Sequence, residues 1–209
     1  MKSFLIYLAI MLISIPALMA TNQGNYESTN RIHSLLWQDD HLESTFITVS
    51  DSSKLSHWMG KWEGTLMIYS ATKPIKEVPM KIWNFETDTI GTYGWYLIYG
   101  EDEEKGTRPY FLKTISTETG HYQVDEKNGI ILDSYLIGDK MISTFDVQGS
   151  LISSIYTLET DGRMTFEILF GKSDDPNITG GKDDIPSVES YKMGGYQKAV
   201  LQRVDEEDK

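Results

Sequence analysis

The sequence predicts an all-β domain, an antiparallel meander of eight to ten strands that closes into a barrel, with a two-sheet β-sandwich as the alternative. Three observations predict it. Between Lys61 and Gly171 the chain falls into short runs rich in Tyr, Ile, Thr, Phe and Trp, each ended by glycine or an Asp, Asn or Ser cluster. Tight-turn residues recur at Gly129, Gly138, Gly149 and Gly162, with spacings of 9, 11 and 13 residues, which suit antiparallel neighbours. Several runs alternate apolar and polar residues, so each strand has one face to bury.

The strands follow in order: Trp62 to Ser70, Val78 to Glu86, Thr92 to Tyr99, Tyr110 to Ser116, His121 to Asp125, Ile130 to Leu136, Lys140 to Val147, Leu151 to Glu159, Arg163 to Phe170 and Lys198 to Val204. A parallel sheet would need crossovers of about a dozen or more residues, usually helical, and the chain has none. Met164, Phe166, Ile168 and Phe170 share one face, as do Met141, Ser143, Phe145 and Val147. Many such strands bury their apolar faces by stacking as two sheets or by closing on themselves. Residues 172–197 break the pattern with Asp174-Asp175-Pro176, Gly180-Gly181, Asp183-Asp184 and Gly194-Gly195, and read as a long mobile excursion before the last strand.

Upstream of the barrel, residues 1–20 have the layout of a secretory signal. Lys2 is followed by an apolar run from Phe4 to Ile13, then Pro16 and Ala20 before polar Thr21. The run is shorter than the roughly 18 residues of a spanning helix, so cleavage near Ala20 and export to a periplasmic or extracellular space are expected, without stable membrane insertion. Residues 21–59 form an extension with weak helical turns, one capped by Asn30 and one leading through Leu55 and Trp58 into the domain at 60–205. The tail 206–209 is acidic.

Composition narrows the function. The chain has no cysteine, which excludes disulfides, thiolate chemistry and a lipoprotein anchor, and the fold must be held by its core. A net charge of −12 without a basic stripe repels phosphate backbones, so nucleic acid is excluded as a partner. His33, His41, His57 and His121 lie far apart, and Asp174, Asp175, Asp183 and Asp184 lack the spacing of a calcium loop. No metal and no cofactor are expected. No nucleophile elbow, phosphate-cradling loop or dinucleotide fingerprint is present.

Gly60-Lys61-Trp62-Glu63-Gly64 opens the first long strand after a short helical turn. It resembles the glycine-x-tryptophan signature of the lipocalins and the wider calycin barrels. That resemblance implies a closed barrel in which the Trp62 indole plugs one end and Arg203, from the last strand, packs across it. Thr160-Asp161-Gly162 matches in part a second signature of the family, a threonine-aspartate-tyrosine in a loop at the closed end, but lacks its aromatic. The family disulfide is absent.

In a barrel of this type, inward residues either fill the core or line a cavity for a small molecule. The candidate lining residues are Trp83, Phe85, Trp95, Tyr96, Tyr110, Phe145 and Phe166. Parity puts Trp83 with Phe85 on one face, and Trp95 with Tyr93 and Tyr99 on one face, without saying which face is inside. Asp125-Glu126-Lys127-Asn128-Gly129-Ile130 reads as a charged hairpin turn, or as an acidic loop at a barrel mouth. Glu167 is the one acid within a strongly apolar strand, and alternation turns it outward. The function expected is an exported, non-enzymatic barrel that binds a small apolar or amphipathic ligand. The alternatives are an acid-base enzyme using a cavity carboxylate such as Glu167, and a protein-interaction module with a filled barrel.

Overall fold

The computed structural model describes residues 55–70 and 73–204. Ten strands follow one another as an antiparallel meander: β1 (Gly60–Ser70), β2 (Lys73–Glu86), β3 (Thr92–Tyr99), β4 (Thr107–Ser116), β5 (His121–Asp125), β6 (Ile131–Ile137), β7 (Lys140–Val147), β8 (Ser150–Leu158), β9 (Met164–Thr179) and β10 (Val188–Val204). A single helical turn, α1 (Glu103–Gly106), joins β3 to β4 and is capped by Asp102. Each strand pairs with the next, and β1 pairs with β10, so the sheet closes and the sandwich alternative falls. Closure leaves no open edge along the barrel wall.

Turn chemistry sets this register. Between β7 and β8, Gln148 and Gly149 both have positive φ, 50° and 75°, the geometry of a two-residue turn that matches the twist of its strands. Such turns hold the inward set constant around the barrel. Trp62, Leu66, Ile82, Trp95, Leu112, Tyr122, Met141, Met164, Phe166 and Leu201 are all almost fully buried. The shared faces expected from alternation, Met164 to Phe170 and Met141 to Val147, both point inward.

One end of the barrel is closed. Leu55 and Trp58 form a helical turn, with the Trp58 N–H donating to the Leu55 carbonyl at 2.9 Å, and both side chains are buried under the strand ends. Asn84 Nδ2 donates to the Trp58 carbonyl at 3.0 Å and ties this plug to β2. Trp62 Nε1 donates to the Gly162 carbonyl at 2.9 Å, in the turn between β8 and β9. Across the indole lies Arg203, its register partner on β10, with the guanidinium carbon 5.0 Å from the ring centre. Arg203 Nη2 also donates to the Met59 carbonyl at 2.7 Å. Gly60 has φ +143°, and a Cβ there would sit 2.8 Å from Arg203 Nη2, so only glycine lets the guanidinium reach the ring.

The segment 172–197 is not a loop. β9 continues to Thr179 and β10 begins at Val188, so an antiparallel arm extends past the open end of the barrel. Two register shifts, at Ser190/Lys192 and at Met193/Gly195, break its side-chain alternation. Among the described residues nothing packs on most of the arm, so its side chains are exposed there and carry no apolar stripe for a sequence pattern to detect. The expectations for residues 1–20, for the turn near Asn30 and for the acidic tail lie outside the described residues.

Candidate functional site

Side-chain size along β7 and β8 creates the site. Three inward pairs stack from the closed end to the open end: Met141 with Tyr156, Ser143 with Ser154, and Phe145 with Ile152. Two serines facing each other, where the neighbouring layers hold large side chains, leave space between them. The result is a cavity of about 60 Å³ in the open half, walled chiefly by Leu97, Tyr110, Phe145, Ile152, Tyr156 and Phe166. Its floor is aromatic. Trp58, Trp95, Tyr156 and Phe166 form a column along the barrel, with successive ring centres 6.1, 5.5 and 4.8 Å apart, running from the plug to the base of the cavity.

The volume sets what fits. A water molecule's share of liquid volume is about 30 Å³, and pockets that enclose drug-sized ligands run to roughly 300–1,000 Å³. The cavity in this conformation takes a small molecule, or one end of a slender one.

Polar chemistry gathers on one side. Glu126 follows Tyr122 and Val124 in the inward parity of β5 and lines the cavity from the turn at the mouth. Its Oε2 accepts from Asn128 Nδ2 at 3.2 Å, and burial raises its carboxyl above the usual carboxylate range. The Tyr99, Tyr110 and Tyr156 phenols are driven well above the usual range, first by burial. Each also feels at least one of the other two phenols or the Glu126 carboxylate, while Arg108 opposes the rise at Tyr99 and Tyr110. The Tyr99 hydroxyl is buried and has no hydrogen-bond partner among the described residues. Arg108 is held at the rim by Nη1 bonds to the Lys105 and Thr107 carbonyls, at 2.9 and 3.0 Å. Among the described residues, no group of three histidine, aspartate or glutamate side chains is placed to hold a metal ion.

Of the seven candidate lining residues, Tyr110, Phe145 and Phe166 line the cavity. Trp95 is inward and fully buried, below the cavity in the aromatic column, and shares its face with Tyr93 and Tyr99 as parity requires. Trp83, Phe85 and Tyr96 are corrected. They stand on the outer face, clustered with ring centres 4.8 to 5.8 Å apart, with Lys61 Nζ 4.7 Å over Trp83. Their outer cluster has a structural reason: Phe85 covers Gly94, where a Cβ would come within 2.2 Å of its ring. Glu167 points outward and accepts from the Tyr196 hydroxyl, so it takes no part in the cavity. Sequence reading missed Glu126, Ser154 and Tyr156 as lining residues. The parity of Val124 carried two residues further marks Glu126, but its place in a turn hid it.

A closed ten-stranded antiparallel barrel with a plugged end and a cavity in its open half fits the lipocalin-like fold. No protein-family description matches the sequence, and no curated protein does. Among solved structures, the chain is similar to a protein with unknown function from the DUF3598 family of Nostoc punctiforme. The TM-score is 0.52 at 10% identity, over 72% of this chain and 49% of that one. The present chain thus spans about half the length of that relative. It is also similar to the S-type phycobiliprotein lyase CPES of Guillardia theta, with TM-score 0.48 and 9% identity over 77% of this chain and 96% of that one. A third neighbour is Rv2717c of M. tuberculosis, with TM-score 0.44 and 11% identity over 75% and 99% of the two chains.

Proposed function

We propose that this chain is a non-enzymatic barrel that binds a small or slender amphipathic molecule through its open end. One observation carries the reading: the Ser143–Ser154 pair keeps a cavity open among apolar side chains, with Glu126 at its mouth. Apolar walls with few polar groups suit holding a molecule in one orientation. Native mass spectrometry of protein purified from its own host tests this, and a co-purifying small molecule is the expected result. The same measurement on Ser154→Leu, which fills the cavity, should show the mass lost. Retention of the ligand by that variant would refute binding at this site.

We further propose that the protein works after export. The reading rests on the charged start, apolar run and small residue of residues 1–20. N-terminal sequencing of the exported protein should begin near Thr21.

A second reading uses the arm beyond the barrel. Ile178, Ile185, Val188 and Met193 are more than half exposed there, which suits a protein-interaction module. Replacing the arm by a short turn separates the two. A carrier retains its ligand, whereas an interaction module loses its partner.

A further inference from the structure

The mouth of the cavity sets a carboxylate against aromatic walls, and among the described residues no cation pairs with it. Glu126 is half-buried, and its one hydrogen-bond partner among the described residues is the neutral amide of Asn128. The neighbouring Lys127 turns to the outside, with Nζ 3.7 Å over the Phe111 ring and 5.7 Å over Tyr96. Arg108 exerts its field on Tyr99 and Tyr110 and is held by backbone carbonyls at the rim. Burying a carboxylate without a counter-charge is costly, and a ligand that brings the counter-charge offsets that cost.

Resting on the reading of the barrel as a small-molecule binder, we propose that the ligand is an amphipathic amine, its ammonium held at the mouth by Glu126 and its apolar end inserted between Phe145, Ile152 and Phe166. Three further observations support this class. Tyr110 and Tyr156 line the cavity, and aromatic rings attract a cation placed over their faces. The chain's net charge of −12 draws cations toward the surface and repels fatty-acid-like anions. The small cavity matches a short or slender hydrocarbon chain. Burial alone raises the Glu126 carboxyl, and an ammonium beside it would restore the ionised form.

Titration calorimetry with hexylamine, hexanol and hexanoate at neutral pH tests the assignment, because the three share a chain and differ in head charge. Hexylamine should bind about ten-fold or more tightly than hexanol, as a charge-assisted hydrogen bond predicts, and hexanoate should bind most weakly. Glu126→Gln keeps the side-chain shape and the Asn128 contact. It should bring hexylamine to the level of hexanol and leave hexanol within about two-fold. Hexanol binding with no preference for the amine, or a preference that survives in Glu126→Gln, would overturn the amine assignment and leave the binding reading intact. Failure of all three to bind at millimolar concentration would overturn both.

Discussion

The two halves of this barrel are built from the same ten strands but have different interiors. In the closed half, large side chains such as Leu66, Trp95, Leu112 and Met164 are buried, the Trp62 indole is fully buried with its N–H satisfied, and Leu55 and Trp58 are buried at the end. In the open half, a serine pair replaces large side chains, and the half-buried Glu126 carboxyl lines the space they leave. The comparison teaches that stability and function are spatially divided. The filled half holds the barrel closed, so the other half can carry space and a poorly solvated acid, which by themselves weaken a fold.

Substitutions sharpen that division, and the largest effect should come from the closed half. Trp62→Ala removes a fully buried ring and leaves a cavity, and should cost about 3–5 kcal/mol in urea unfolding. A loss under about 1 kcal/mol would mean that the plug is not what holds the barrel. Arg203→Ala removes a cation from the face of the indole, and with it the bond to the Met59 carbonyl, and should cost about 1–2 kcal/mol. Gly60→Ala, which pushes a Cβ against the same guanidinium, should destabilise in the same direction.

In the open half the expected signs change. Ser154→Val fills space and should leave stability within about 1 kcal/mol of the wild type while abolishing ligand binding. A large loss of stability there would show that the cavity layer is packed as tightly as the layers below it.

Glu126 gives a pH test of the same comparison. Its folded-state carboxyl is raised above the unfolded value, so the native state binds more protons than the unfolded one in the window between the two. Its contribution to stability is therefore fully present below the unfolded value, roughly pH 4.3, and is lost as pH rises through the folded value. Without ligand, Glu126→Gln should be more stable than the wild type at neutral pH, and the gap should close on acidification. Denaturant midpoints of both proteins across that range check the sign. The smallest effect belongs to the arm. Joining Ser173 to Lys192 through Asn-Gly should move the melting temperature by only a few degrees, since most of the deleted residues are exposed.

Much of this was legible in the chain. His121 to Asp125 and Lys140 to Val147 are half-buried strands whose alternating burial records the boundary between core and solvent. Gly60, Trp62 and Arg203 were legible through the resemblance of the Gly60-x-Trp62 opening to the lipocalin signature, and the register pairs Trp62 with Arg203 as that resemblance implies. The arm was not, because an exposed ribbon with two bulges has no buried face to impose a pattern.

The sequence by itself determined the strand-and-turn series, the antiparallel order and the sharing of faces, and bounded the strand count at eight to ten, since these depend on neighbours a few residues apart. Tertiary structure alone decided which face was inside. Trp83, Phe85 and Tyr96 are as apolar as Trp95 and Tyr110, yet they lie outside, and only closure of β1 onto β10 fixes the inward direction for every strand. The cavity likewise belongs to no single segment. Ser143 and Ser154 are 11 residues apart in sequence, and Glu126 enters from another strand pair. Only the register of the closed sheet brings two small residues opposite each other beneath a carboxylate, so the space they leave is a property of packing.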